Sequence, residues 1–245
     1  MKMESFGTSD IGLVRTTNED VWAHLSKENF FILADGMGGH LAGEIAASET
    51  VLHLCSWIER LFALETPVNA DSLVSPLEKA IHRANEWVYA MASENEEMSG
   101  MGTTLCLALL LGSQLLYAHV GDSRIYRVRK ERLTRLTNDH SLRGELIAAG
   151  QLDEEELGSF PFKNVITRAM GTQTEVLPDI QVAEVLPGDL YFLCTDGLTD
   201  CLNDKKILDI IKQEKSVKAT VQKLVEEAKM QGGHDNITVL MFKIN

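Results

Sequence analysis

Short, largely apolar runs that border an acidic residue recur along this chain. Each run is five or six residues long, and a continuous apolar run of that length is typical of a strand buried on both faces. The runs and their bordering acids are 30–34 with Asp35, 115–120 with Asp122, 190–194 with Asp196, and 237–242 with Asp235. The pattern therefore predicts four buried strands, each with a carboxylate at one end.

Four acids at the ends of buried strands can converge if the strands share one core. Carboxylates brought together repel one another unless they are protonated or bound to a cation. Oxygen ligands suit hard divalent ions such as Mg²⁺ and Mn²⁺. Alone, Asp35-Gly36 is a common turn dipeptide, and it is the recurrence of the pattern that favours a metal site.

Helical patterns lie between these strands. Apolar residues spaced along one helical face predict a long helix that ends near residue 62. A second helix is predicted to begin at Ser75, because serine caps helices, Pro76 suits the first helical position, and Glu78 can close a capping box. Two further helices are expected, over 207–211 with Asp204 as cap, and over 217–230.

The rest of the chain is predicted to be strands and one insertion. Hairpins are expected around Gly112-Ser113 and Lys130-Glu131, and further strands over 11–14, 21–23 and 180–186. Residues 141–170 break the strand rhythm with short helices predicted over 141–149 and near 153–157. We expect one domain over residues 1–245, of the α+β class, with layered sheets and outer helices.

The composition is that of a soluble globular protein and disfavours two kinds of partner. The chain has 245 residues, 44% of them hydrophobic and 24% charged, which is ordinary for such a protein. Its net charge of −13 argues against nucleic-acid binding, which needs a basic surface. The longest strongly apolar run, 105–111, is too short to cross a bilayer, and the first residues form no apolar signal segment.

The cysteine pattern bears on the compartment. The four cysteines form no Cys-x-x-Cys pair and are expected to be free thiols in a reducing cytosol. They are Cys55, Cys106, Cys194 and Cys201. We therefore expect a cytoplasmic protein without a membrane partner.

Taken together and in order, eight segments of the chain resemble the metal-dependent protein phosphatase family, type 2C, in its compact bacterial form. They are RTTNED at 15–20, ADGMGGH at 34–40, GTT at 102–104, VGDSR at 120–124, DHSL at 139–142, NVITR at 164–168, TDG at 195–197 and GHDN at 233–236. Each segment is weak by itself, but their order covers nearly the whole chain.

The resemblance implies a fold and a metal site. The implied fold is a β-sandwich of two antiparallel sheets flanked by pairs of helices, with a flap at about 141–170. The implied ligands of two Mn²⁺ or Mg²⁺ ions and a third, weaker one are Asp20, Asp35, Gly36, Asp122, Asp196 and Asp235. Asp35 would bridge the two core ions, the Gly36 carbonyl would contribute to one of them, and Asp122 with Asp196 would hold the third.

The resemblance also implies an activity, the hydrolysis of phosphoserine or phosphothreonine in proteins by a water bridged by two metal ions. Arg15 would hold phosphate oxygens with its planar guanidinium. Eukaryotic relatives carry a histidine general acid where this chain has Met37. His40, three residues on, is either the general acid or a cap of the following helix. The implied partners are phosphorylated proteins and a cognate serine/threonine kinase, and we expect a monomer with a signalling role.

The sequence disfavours dinucleotide binding and a cysteine-dependent phosphatase. The Gly36-x-Gly38 corner lacks the third glycine of a dinucleotide-binding loop, because position 41 is leucine. No cysteine has an arginine six positions on, as cysteine-dependent phosphatases require. A phosphatase specific for one regulatory partner and a non-catalytic phosphatase-like scaffold remain alternatives, although a scaffold usually loses metal acids and none is lost here.

Overall fold

The computed structural model of the chain describes residues 2–38, 42–64, 69–151 and 165–245. The strands are β1 (Met3–Asp10), β2 (Asp20–Leu25), β3 (Phe30–Met37), β4 (Gly102–Thr103), β5 (Leu105–Leu111), β6 (Gln114–Val120), β7 (Arg124–Arg129), β8 (Arg132–Arg135), β9 (Asp179–Glu184), β10 (Leu190–Cys194) and β11 (Ile237–Ile244). The helices are α1 (Ala42–Ala63), α2 (Ala70–Glu94), α3 (Leu142–Ala148), α4 (Asp196–Thr199), α5 (Asp204–Gln213) and α6 (Val217–Met230), with a 3₁₀ turn at Glu96–Met98.

The strands form two antiparallel sheets. One has the order β1-β11-β10-β7-β8, and the other has the order β2-β3-β5-β6-β9, with β4 paired to β3. Helices α1 and α2 pack on the outer face of the second sheet, and α5 and α6 pack on the outer face of the first. The predicted α+β sandwich with flanking helix pairs is therefore confirmed, as are both predicted hairpins.

Strand β3 shows why the apolar runs are continuous. Phe30, Ile32 and Ala34 face the helices α1 and α2, whereas Phe31 and Leu33 face the opposite sheet. Successive strand residues point to opposite faces, so a strand covered on both sides needs apolar residues at every position. The same reasoning explains β10, all of whose residues are buried.

Helix α2 begins earlier than the sequence predicts. Its N-cap is Asn69, whose side chain accepts a hydrogen bond from the Ser72 amide at 2.8 Å, so Pro76 lies inside the helix. Leu73, only 3% exposed, lies one helical turn before Leu77 and extends the buried face. The predicted start at Ser75 is wrong because this apolar stripe, together with the Asn69 cap, outweighs the proline signal. Helix α5 likewise is capped by Asn203 rather than Asp204.

The strand predicted over 11–14 is also wrong. Strand β1 ends at Asp10, whose carboxylate accepts a hydrogen bond from the Gly12 amide at 2.9 Å. Gly12 has φ +80°, a left-handed conformation that turns the chain and favours glycine. Leu13 and Val14 are consequently 64% and 62% exposed.

Part of the predicted flap lies in the described residues. Helix α3 confirms the helix predicted over 141–149, with Ser141 as its cap. The second short helix, predicted near 153–157, lies outside the described residues. Among the described helices, none has the length and apolar character needed to span a bilayer.

Candidate metal centre

Two of the acids lie on paired strands. Asp20 begins β2 and stands directly opposite Asp35 near the end of β3. The register follows from the apolar residues of both strands, since a slip of one position would turn each side chain to the other face. The amide of Gly36 donates to the carbonyl of Glu19 at 3.1 Å, which closes this end of the hairpin.

The backbone of Asp35 is held from both sides. Its amide donates to the Thr104 hydroxyl at 3.0 Å, and its carbonyl accepts from the Thr103 hydroxyl at 2.8 Å. The Thr104 hydroxyl also lies 2.8 Å from that of Ser123, which adjoins Asp122. These threonines tie the Asp35 strand to the Asp122 loop, a role that their local sequence does not indicate.

Asp20 is held by two buried hydroxyls. Thr238 donates to its Oδ2 atom at 2.6 Å and Thr195 donates to the same atom at 3.0 Å. The other oxygen, Oδ1, is buried and has no hydrogen-bond partner within the described ranges of the chain. A buried carboxylate oxygen without a partner is costly, and a cation or a proton would satisfy it.

The predicted site residues line one cleft of about 210 Å³. Its lining residues are Arg15, Glu19, Asp35, Gly36, Met37, Gly38, Asp122, Ile166, Asp196, Asp235 and Asn236. Asp20 lies beside this cleft through its pairing with Asp35. The structure thus brings together every predicted site residue that it describes, and His40 lies outside the described residues.

Close backbone approach at the cleft depends on glycine. A Cβ atom at Gly36 would collide with the carbonyl of Gly43, and a Cβ atom at Gly43 would collide with the carboxylate of Glu19. The first turn of α1 can therefore pack against the end of β3 only because both residues lack side chains. This contact keeps the Gly36 carbonyl and the Glu19 side chain at the cleft.

Burial and mutual repulsion disfavour the charged form of these acids. Burial raises the pKa of Asp20 to about 7 and that of Asp122 to about 6, and neighbouring carboxylates add to both shifts. Burial, then the charges of the neighbouring aspartates, raises the pKa of Asp35 and of Asp196 well above its ordinary value. An all-oxygen cluster with these properties fits a hard divalent cation.

Asn236 organises the loops around Arg15. Its side-chain oxygen accepts from the Glu19 amide at 2.8 Å, and its side-chain nitrogen donates to the carbonyls of Ile11 and Thr17 at 3.1 and 2.9 Å. Asn236 belongs to the GHDN motif at 233–236, but the motif alone does not indicate this role. These bonds hold the Arg15 loop beside the segment that carries Asp235.

Comparison with known proteins agrees with this geometry. A family model described as Protein phosphatase 2C matches residues 13–235. The serine/threonine phosphatase stp of Listeria welshimeri is 36% identical over 240 residues, which are 97% of this chain and 94% of that protein. The solved structure of the S. agalactiae serine/threonine phosphatase superposes with a TM-score of 0.91 at 38% identity, and the match covers 100% of both chains.

One of the similar solved structures contains metal ions. The catalytic domain of the serine/threonine protein phosphatase PstP, solved in complex with two manganese ions, superposes with a TM-score of 0.87 at 34% identity and covers 99% of both chains. These matches identify the chain as an enzyme of the phosphatase class. It belongs to the protein phosphatase 2C family, which confirms the resemblance found in its motifs.

Proposed function

We propose that this chain is a metal-dependent protein phosphatase that hydrolyses phosphoserine and phosphothreonine in proteins. The observation that carries the proposal is the cleft in which Asp35, Asp122, Asp196 and Asp235 meet beside Arg15. Relatives with 36% identity over nearly the full chain are named as serine/threonine or protein phosphatases, which supports the same conclusion.

The proposed ligands of the Mn²⁺ or Mg²⁺ ions are Asp20, Asp35, Gly36, Asp122, Asp196 and Asp235. Their fit rests on the all-oxygen donor set, on the raised pKa values that burial and repulsion cause, and on the partnerless Oδ1 atom of Asp20. Asp35 would be a ligand of the core ions, and Asp122 with Asp196 would hold a weaker third. When bound, such ions lower the pKa of a water and offset charge on phosphoryl oxygens.

Arg15 is proposed to orient the phosphoryl group. One of its terminal nitrogens donates to Asp235 at 2.7 Å, and its side chain is 53% exposed. A guanidinium has five N–H donors, so the remaining donors can bind two oxygens of a phosphate that enters the cleft. The proton for the departing alkoxide is proposed to come from His40, directly or through water.

The proposal is tested by following phosphate release from a phosphothreonine peptide with Mn²⁺ and with excess chelator. Hydrolysis should require the metal and return when Mn²⁺ is restored. A phosphotyrosine peptide of the same sequence serves as the matched substrate and should be cleaved more slowly. Equal turnover in chelator would overturn the proposal, and a complete lack of turnover with Mn²⁺ on every phosphoprotein tried would favour the scaffold alternative.

We also propose a setting for this activity. The enzyme would act in the cytoplasm as a monomer, opposite a serine/threonine kinase in a signalling pathway, and its four free thiols support a reducing compartment. Residues 1–245 are proposed to form one catalytic domain with a flap at about 141–170. The pairing of β1 with β11, which joins the first and last described strands, supports the single domain.

A further inference from the structure

A second cleft lies at the β7–β8 hairpin. It has a volume of about 560 Å³, and its lining residues are Arg127, Arg129, Lys130, Arg132, Thr134 and Leu186. Four of these six residues are cationic and none is acidic, although the whole chain has a net charge of −13. Positive charge is thus concentrated at one place against the sign of the rest of the molecule.

The sheet register places these cations against one another. Arg129 stands directly opposite Arg132, and Arg127 directly opposite Thr134. Positions two apart on a strand share a face, so the three arginines and the threonine lie on one face of the hairpin. Like charges directly opposite on paired strands are destabilising, and the Asp189 carboxylate, which pairs with Arg129, offsets only part of that cost.

Only part of this charge is neutralised within the described residues. Arg129 donates two hydrogen bonds to the buried Asp189, at 2.7 and 2.6 Å. Arg127, Lys130 and Arg132 form no ion pair with any residue that the structure describes. The Nε atom of Arg127 is moreover buried and has no hydrogen-bond partner among the residues that the structure describes, which is costly for a charged donor.

Protection of a sheet edge explains only some of these residues. Strand β8 is the edge of its sheet, and charges on edge strands hinder pairing with other chains, which accounts for the exposed Arg132. Arg127 is different, because it lies on β7 between β10 and β8 and is partly buried. Arg127 lines the cleft and forms no ion pair within the described part of the chain, which indicates an anionic ligand.

We propose that this cleft is a second binding site, specific for a phosphate-monoester or orthophosphate dianion and separate from the acid-lined cleft. Guanidinium groups match the geometry of phosphate oxygens, and the Thr134 hydroxyl and the Lys130 ammonium are further donors. Arg127 follows Asp122 by five positions, which span at most about 17 Å when the chain is fully extended. The site does not depend on the proposed catalytic function. Its ligand is either free phosphate or a phosphoryl group on a protein.

Amide and arginine Nε–H resonances of the ¹⁵N-labelled full-length protein report on the two clefts separately. Orthophosphate, with KCl at matched ionic strength as the control, should cause saturable shifts of the Arg127 Nε–H signal and of the 127–134 amides. A peptide with a non-hydrolysable phosphonate analogue of phosphothreonine distinguishes the sources. Tighter binding of the peptide than of orthophosphate indicates a protein ligand, and equal or weaker binding indicates free phosphate.

Substitutions test whether the arginines of the hairpin bind the anion. Arg132→Gln alters an exposed residue, so the fold should be kept, and binding at the hairpin should weaken about tenfold, the effect of losing a charge-assisted bond. The double variant R127Q/R132Q should abolish the hairpin shifts. The control variant K79Q/R83Q removes the same amount of charge from exposed positions of α2 and should leave the hairpin shifts unchanged. The proposal would be overturned if KCl reproduced the hairpin shifts. It would also be overturned if the shifts persisted in R132Q and in a folded R127Q/R132Q, and the cations would then serve only to protect the sheet edge.

Discussion

Arg15 donates a 2.7 Å hydrogen bond to the Oδ2 atom of Asp235, a residue 220 positions away in the chain. The pair links the loop after β1 to the loop before β11 at the mouth of the acid-lined cleft. It also joins two proposed tasks, because Arg15 is assigned to the phosphoryl group and Asp235 to a metal ion. Binding of a cation at Asp235 would weaken this pair and leave the guanidinium available to substrate.

Replacement of Arg15 tests the first of these tasks. Arg15→Ala should weaken transition-state binding by about 2–3 kcal/mol, the scale of a charge-assisted hydrogen bond, measured as a loss in kcat/KM. Arg15→Lys should recover only part, since an ammonium lacks the planar fork. The thermal midpoint should hardly change, because exposed ion pairs stabilise proteins by less than about 1 kcal/mol. Unaltered kinetics in Arg15→Ala would place this residue outside the site.

The proposed ligands of the core metal ions are tested by isosteric neutralisation. Asp35→Asn and Asp196→Asn should each abolish phosphopeptide hydrolysis while the far-UV circular dichroism stays that of the parent, because each loses an anionic ligand but keeps its shape. Asp209→Asn, at an exposed position of α5, is the matched control and should keep full activity. Turnover by either cleft variant at the parent rate would contradict the ligand assignment.

The stability of the metal-free enzyme should depend on pH in a particular direction. Burial raises the pKa of Asp20 from 3.8 to about 7 and that of Asp122 from 3.8 to about 6. At pH values between the pKa of the unfolded chain and that of the folded chain, the native state binds more protons than the unfolded state. The stability that these protonated acids contribute is therefore complete below about pH 4 and is lost as pH rises through the folded pKa values. In chelator, the cluster's contribution should therefore make the thermal midpoint fall between pH 5 and pH 8.

Metal should reverse that trend. Divalent ions bind deprotonated carboxylates, so their affinity rises with pH and the midpoint gained on adding Mn²⁺ should be larger at pH 8 than at pH 5.5. Differential scanning fluorimetry of the parent and of Asp35→Asn measures both quantities. A Mn²⁺ shift that is equal at the two pH values, or equally large in Asp35→Asn, would argue against the cluster as its origin.

Asp122 is expected to serve an accessory ion. Asp122→Ala should lower kcat and still retain two tightly bound ions after desalting, because Asp20, Asp35 and Asp235 are untouched. Metal content by inductively coupled plasma mass spectrometry decides the matter alongside the kinetics. Loss of all bound metal would show instead that Asp122 belongs to the core pair.

The sequence predicts the buried framework well because burial leaves a pattern. Asp35 and Asp196 follow continuous apolar runs, and a strand covered on both faces produces such a run. The pattern fails for β1, whose residues are mostly polar and half-buried, since this edge strand is fixed by its pairing with β11. It fails again at α2, where the signal around Pro76 is local and the decisive contact of Leu73 is with the core.

The supporting hydroxyls illustrate a different limit. Thr195 and Thr238 lie 43 positions apart and converge on one oxygen of Asp20. Nothing in their local sequence separates them from other buried threonines of strands, because their task arises from three strands meeting in space.

The central place of β11 has a consequence for how the enzyme is made. This strand lies between β1 and β10, and the loop before it carries Asp235, whereas Asp20 and Asp35 come much earlier in the chain. A ribosome therefore releases Asp235 only after the segments that carry the other acids of the cleft have been synthesised. Chains that end before this point lack Asp235, one of the proposed metal ligands, so dephosphorylation should begin only with chains whose translation has reached β11.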